Sequence, residues 1–321
     1  MKPLTFIKLR AVPVALLAAA SLLGGCNRNH KPTIAFVAGA ATDFWTFAEA
    51  GCKKADAELK DYDVIFKYTT DGATEEQKRI TDDLMVNGVA GVVIAPLDPL
   101  NQGPFVDRMA SNIPVIITDS DIPKSKRLCY IGTSNIEAGH DAGKLIKEAL
   151  PEGGKIMLFV GKADAQNAID RIQGIKEELN GSKIEIAGIK TDNIDRVRAK
   201  ANVNDVLVSN PDVKCLVGLW SYNGPAILNA VKESGKAGQV KIVCFDEEEQ
   251  TLQGVKSGEI LGTVVQQPFE FGYQSIHMMA KYLSGDKKSV PANGQVIIPA
   301  TIIKKDQIDQ FIAKTNSLRQ K

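Results

Sequence analysis

Val115-Ile116-Ile117-Thr118-Asp119-Ser120-Asp121 is a short apolar, β-branched run that breaks at once into three polar residues, two of them carboxylates. A run of this kind is consistent with a strand buried on both faces, and such strands belong in parallel sheets covered by helices. Seven other runs repeat the pattern. Residues 33–37 lead to Phe44 and Trp45, 91–94 to Asp98, 156–160 to Asn167 and Arg171, and 184–189 to Asp192 and Asn193. Further on, 215–219 lead to Trp220, Tyr222 and Asn223, 242–245 to Asp246, and 261–265 to Gln266 and Gln267. In open α/β sheets ligands bind outside the carboxyl ends of the strands. The residues that follow the runs are therefore the ones expected to meet a ligand, and their aromatic and polar character suits a small polyol.

Between the runs lie amphipathic segments. After Asn135, read as a cap, Ala142, Leu145, Ile146, Ala149 and Leu150 recur at the spacing of a buried helical stripe, and Pro151-Glu152-Gly153-Gly154 stops it. Strand and helix alternate from Pro32 onward, which predicts parallel sheets with helices on both faces. The 321 residues fit two domains at about 150 residues each. No Pro-rich or Ser-rich linker divides them, so the domains are expected to be joined by short crossings inside the βα pattern. With 39 Lys and Arg against 38 Asp and Glu, the formal net charge is +1, and nothing in the balance favours nucleic acid.

Lys2, Lys8 and Arg10 precede an uncharged stretch, residues 11–25, that ends in Leu23-Gly24-Gly25-Cys26. A basic start, a short apolar core and small residues make a removable export leader, too short to span a bilayer as a helix. Leu-Gly-Gly-Cys resembles the bacterial lipoprotein box, which implies a lipid on Cys26, a signal peptide over 1–25, a tether over 26–31 and a membrane-anchored, extracytoplasmic protein. Cys52, Cys129, Cys215 and Cys244 sit singly in apolar patterns without zinc spacing and read as buried thiols.

Catalysis finds no support. There are three histidines, His30, His140 and His277, with no H-E-x-x-H pair and no G-x-S-x-G elbow. Gly154 and Gly161-Lys162 fit a phosphate loop only loosely, because the gap is too long and Ala163 stands where Ser or Thr is needed. No enzyme activity, cofactor or metal is expected.

Several stretches carry a family likeness when taken in order. They are Ile34-Ala-Phe-Val, Asp43-Phe-Trp, Val92-Val-Ile-Ala-Pro-Leu-Asp98, Tyr130-Ile-Gly-Thr-Ser-Asn135, Asn167-Ala-Ile-Asp-Arg-Ile-Gln-Gly174, Trp220-Ser-Tyr-Asn-Gly-Pro225, Val243-Cys-Phe-Asp246 and Gln266-Gln-Pro268, with the opening run among them. The mature chain resembles the type I periplasmic sugar-binding proteins of ABC transporters, the ribose- and glucose-binding class. The resemblance implies two similar Rossmann-like α/β domains with parallel sheets, a ligand cleft between them and a hinge of three crossings, near 133–134, 266–267 and 298–299. The domains would comprise 32–133 plus 267–298 and 134–266 plus 299–321. A monomer that delivers a monosaccharide to an ABC permease is implied. The alternative is a sugar or polyol receptor for a sensor kinase or chemoreceptor.

By the same resemblance Phe44 and Trp45 stack on a sugar ring, Asp119 and Asp246 accept from its hydroxyls, and Gln266 adds a polar contact near the hinge. Trp220 would close a second aromatic plane over a pyranose. The ribose-binding pattern has an Arg where Ser120 stands, another at Ile169 and an Asn at Trp220, so the chain looks closer to the glucose-binding branch. Asn167, Arg171, Asn193 and Asn223 are further candidates; Arg171 could fork to sugar oxygens or fix the interdomain surface. Asp98 and Asp121 read as helix caps, and the glutamates 247–249 as a solvated first helical turn.

Overall fold

The computed structural model describes residues 30–319 other than Asp71, so the expected leader and Cys26 lie outside the described residues. Six strands form the first sheet: β1 (Thr33–Ala40), β2 (Asp63–Thr69), β3 (Gly91–Ile94), β4 (Val115–Thr118), β5 (Cys129–Gly132) and, after a long excursion, β11 (Gln295–Ile297). Their order is β11-β5-β4-β3-β1-β2, all parallel. The second sheet contains β6 (Gly154–Val160), β7 (Ile184–Thr191), β8 (Val213–Gly218), β9 (Lys241–Phe245), β10 (Gly262–Val265) and β12 (Thr301–Lys304). Its order is β12-β10-β9-β8-β6-β7, parallel except for the antiparallel edge β10–β12. The two sheets thus repeat one strand order, and β4 of the first corresponds to β9 of the second.

Helices α1 (Asp43–Glu58), α2 (Thr74–Val86) and α3 (Gly103–Ala110) follow strands of the first sheet. Helices α4 (Asn135–Ala149), α5 (Gln166–Leu179), α6 (Arg196–Ser209), α7 (Asn223–Glu233) and α8 (Glu249–Ser257) alternate with strands of the second. After β10, α9 (Pro268–Leu283) returns to pack on α1, and α10 (Ile308–Arg319) closes the chain against β12 and α8. The backbone passes between sheets after β5, after β10 and between β11 and β12.

Alternate residues of a strand point to opposite faces, and the core divides accordingly. Ile34, Phe36, Ile116 and Ile131 pack beneath α1 and α9, while Ala35, Val37, Val92, Ile94, Val115 and Ile117 pack on the other face. Burial on both faces is what makes β3 and β4 read as unbroken apolar runs. Cys52, Cys129, Cys215 and Cys244 are buried free thiols, and burial raises the pKa of each.

Two helix pairs approach backbone to backbone. A Cβ on Gly51 of α1 would lie 2.0 Å from the carbonyl oxygen of Phe269, and one on Gly272 of α9 would lie 2.1 Å from that of Ala48. In the second lobe a Cβ on Gly139 of α4 would lie 2.4 Å from the Arg171 carbonyl oxygen, and one on Gly174 of α5 would lie 2.1 Å from that of Ile136. Only hydrogen fits at these four places.

The buried stripe of α4 is as expected, but its cap is not Asn135. Ser134 holds that position, its hydroxyl accepting from the Glu137 N–H at 3.4 Å, and the Asn135 side chain turns inward instead.

Candidate functional site

A cleft of about 310 Å³ opens where the carboxyl ends of the two sheets face each other. Phe44, Trp45, Asp119 and Ser120 line it from the first sheet, Asn167, Arg171, Trp220, Tyr222 and Asp246 from the second, and Gln266 from the second passage. The sequence therefore places eight of its candidates here: the six principal ones, with Asn167 and Arg171.

Each carboxylate sits one residue past a strand, Asp119 after β4 and Asp246 after β9, and both have left-handed backbone, φ 64° at Asp119 and 65° at Asp246. Asp tolerates this region better than most residues, at a cost of order 1 kcal/mol. The turn ends the strand where each residue lines the cleft. Asp246 accepts from Gln266 Nε2 at 3.0 Å, and its carbonyl accepts from Thr263 Oγ1 at 2.7 Å. Asn167 Nδ2 donates to Asp119 Oδ2 at 3.4 Å. Burial pushes the Asp119 carboxyl up to about 6, with the charge of Asp246 adding to the rise and Arg171 opposing it. Asp246 is likewise raised, first by burial and against the pull of Arg171.

Arg171 is 1 % exposed. Its Nε donates to Asn135 Oδ1 at 2.9 Å, its Nη1 donates to the Leu219 carbonyl, and its guanidinium lies 4.4 Å from the centre of the Phe245 ring. A buried cation needs such partners, and the two carboxylates supply its countercharge.

The aromatic walls are built differently. Phe44 and Trp45 meet edge to face, centroids 4.9 Å apart, and belong to the first-sheet core as well as to the cleft. Trp220 lies over the backbone of Gly161, where a Cβ would come within 2.1 Å of its ring, and meets Tyr222 nearly at right angles. Four cleft atoms are buried without a protein partner among the described residues: Ser120 Oγ, Asn167 Oδ1, Trp220 Nε1 and Gln266 Oε1. Together they offer donors and acceptors from both lobes.

Asn193 and Asn223 do not join the cleft. Asn193 is exposed, in left-handed backbone, and donates its N–H to the Gly161 carbonyl. Asn223 is buried, but its Oδ1 accepts from the Trp220 N–H at 3.0 Å and its Nδ2 donates to Asp192 at 3.1 Å. It shapes the turn that carries Trp220. Asp192, which also accepts from Tyr222 Oη at 2.6 Å, is the support beneath that wall. Neither Asp121 nor Asp98 is a helix cap: Asp121 forms a two-pronged ion pair with Arg127, and Asp98 braces a turn through Asn101 ahead of α3, whose N-cap is Gln102. Glu247 and Glu248 are not a solvated helical turn either, since α8 begins at Glu249, Glu247 is 5 % exposed and Glu248 binds Arg196 at 3.2 Å. Ile169 is 37 % exposed and outside the cleft wall, so its replacement of an Arg says nothing about this surface. Sequence reasoning passed over Arg196, Leu97 and Ile194 in the lining; Leu97 and Ile194 are apolar, and Arg196 is already the first residue of α6.

A larger cavity, about 860 Å³, flanks the first passage beside Leu100, Asp121, Tyr130 and Ile297. Its Asp121 is paired with Arg127, and among its described lining residues one buried polar atom, Thr133 Oγ1, lacks a partner, against four in the smaller cleft.

Residues 34–287 match the model of the periplasmic binding protein domain. The chain belongs to the periplasmic binding protein family. Its relatives include the D-ribose/D-allose-binding protein of Pseudomonas aeruginosa, 25% identical over 85% of this chain and 89% of that one. The ribose import binding protein of Escherichia coli is 27% identical over 85% of this chain and 91% of its own length. Among solved structures, the glucose-galactose binding protein of Geobacillus stearothermophilus superposes with a TM-score of 0.81 at 26% identity, covering 86% of this chain and 98% of that chain. A solute-binding protein of Burkholderia graminis in complex with D-arabinose gives a TM-score of 0.81 at 26% identity, covering 87% and 97%. Family membership makes this periplasmic binding protein a ligand carrier of extracytoplasmic type and not an enzyme.

Proposed function

We propose that this protein captures a monosaccharide by closure of its two lobes, 32–133 plus 267–298 and 134–266 plus 299–321, and delivers it to an ABC permease. The observation that carries the reading is the convergence, from both sheets, of two carboxylates, four unpartnered polar atoms and aromatic surfaces in one small cleft. A sugar offers hydroxyls that both donate and accept around its rim and C–H groups on its faces. Ligand that touches both lobes only when they are shut stabilises the shut form by those contacts. A glucose- or xylose-like pyranose is favoured over ribose, because Ser120 and Trp220 replace an Arg and an Asn of the ribose-binding pattern within the cleft wall itself. Relatives named for ribose share only about a quarter of their residues with this chain.

A thermal-shift screen of monosaccharides tests the reading. A sugar at 100 times its Kd should add about 2.7 kcal/mol to stability. In Asp246→Ala the same sugar should bind more weakly by about 1.5–3 kcal/mol, the loss of a hydrogen bond to a charged acceptor. If no sugar raises the melting temperature, the reading fails.

Anchoring through Cys26 belongs to the same proposal. Cys26→Ser should leave export intact and move the mature protein from the membrane fraction to the soluble one; a protein that still needs detergent would count against the lipid.

A further inference from the structure

Asn135 stands where three parts of the molecule meet. It is the first residue of α4, directly after the first passage between sheets, and is 5 % exposed. Its Oδ1 accepts from Arg171 Nε at 2.9 Å, and its Nδ2 donates to the backbone carbonyl of Asp119 at 3.3 Å. One amide thus holds both the buried cation of the cleft and the chain segment that carries a cleft carboxylate. Behind it, α4 and α5 meet backbone to backbone at Gly139 and Gly174.

The charges around Asp119 show what that amide controls. Asp119 faces Arg171 on α5 and Asp246 at the end of β9. Tyr130 on β5 donates to its carbonyl at 3.1 Å and feels the charges of Asp121 and Asp170. Farther along the cleft, Arg196 is engaged by Glu248, which senses Asp246 and Asp43. Arg171 is therefore the cation that balances the two carboxylates, and a guanidinium acts through a fixed fork whose direction matters.

We propose that Asn135 is a positioning residue for ligand binding: it aims the Arg171 guanidinium so that the two cleft carboxylates stay in charge balance as acceptors. The inference rests on the sugar-binding reading above. Two substitutions separate charge from shape. Asn135→Ala releases both partners and leaves a gap. Asn135→Asp keeps the shape and an acceptor for Arg171, but it sets a new negative charge against the guanidinium and loses the donor to Asp119.

The test is the titration of the Asp119 carboxyl carbon, followed by NMR in ligand-free wild type, Asn135→Ala and Asn135→Asp. The wild-type midpoint should fall near 6. Both variants should titrate higher, by roughly one unit, as the guanidinium turns away in alanine and is also partly neutralised in aspartate, with the aspartate variant shifted further. A raised carboxyl pKa means that the acceptor form is lost earlier as pH falls. Calorimetry at pH 5, below the wild-type midpoint, with the best binder among D-glucose, D-galactose, D-xylose, D-arabinose and D-ribose, should then show affinity reduced in Asn135→Ala by up to about ten-fold for each pH unit by which the midpoint rises, and little change at pH 7.5. Unchanged midpoints in the folded variants overturn the proposal, and so does a larger shift in alanine than in aspartate, which would point to the gap rather than the charge. Asn135→Ser, which adds no charge, takes the place of the aspartate variant if that one does not fold, and its midpoint must rise as alanine's does. Shifted midpoints in a protein that binds none of the five sugars support the charge link and sink the sugar reading separately.

Discussion

Arg171→Met is expected to destabilise the folded protein by about 3–5 kcal/mol at pH 7.5, the cost of stripping one partner from a buried ionic group, and by less at pH 5. Methionine fills much of the volume, so the loss is mainly that of two buried carboxylates deprived of their cation. A carboxyl whose folded pKa lies above its unfolded value opposes folding at high pH and stops doing so as pH falls through the folded value. For Asp119 in the wild type that window runs from about 6 down to 3.8. Without Arg171 the folded value climbs further, so the penalty at neutral pH grows and its relief begins at higher pH. Urea unfolding of both proteins at the two pH values measures this. A gap of equal size at pH 7.5 and pH 5 would assign the loss to the Phe245 stack and the Leu219 hydrogen bond instead.

Gly272→Ala should cost about 3 kcal/mol, at the upper end for overpacking, because the added methyl meets backbone rather than a side chain that can turn away. The melting temperature should fall by roughly 5 °C or more. Since α1 carries Phe44 and Trp45, pushing α9 away from it should also weaken sugar binding, whereas the same substitution at Gly285, whose Cβ would meet nothing, disturbs only its own turn. A Gly272→Ala protein that melts like the wild type would mean the helices can part freely.

What could be read in advance follows from how each feature is encoded. Strands β3, β4 and β9 are buried on both faces and announce themselves as apolar runs, and the residues just beyond them fall at the cleft for the same topological reason. Edge strand β2, Asp63-Val-Ile-Phe-Lys-Tyr-Thr69, is only half-buried along most of its length and was not among the eight runs. Strand β11 is three residues long. Which way a polar side chain points is not written in the spacing. Asn167 and Asn223 look alike as residues near a strand end, yet one reaches Asp119 and the other folds back onto the Trp220 N–H. Asn135 was legible only as a cap, because its partners Arg171 and Asp119 come from distant segments.

The return of α9 and β11 to the first sheet has a consequence for how the molecule assembles. The hydroxyl of Tyr273 on α9 donates to Glu58 on α1 across 215 residues of chain, and the Gly51–Gly272 seat lies beside it. A chain made from its amino end produces β1 through β5 early but cannot cover the α1 flank or complete the β5 edge until nearly all the second sheet has been synthesised. Contacts of such separation are slow to form, and the apolar surface that awaits them is open to wrong partners. Strands β6 to β10 of the second sheet run consecutively and are free to pair first, while both sheets wait for their last edge strands, β11 for the first and β12 for the second.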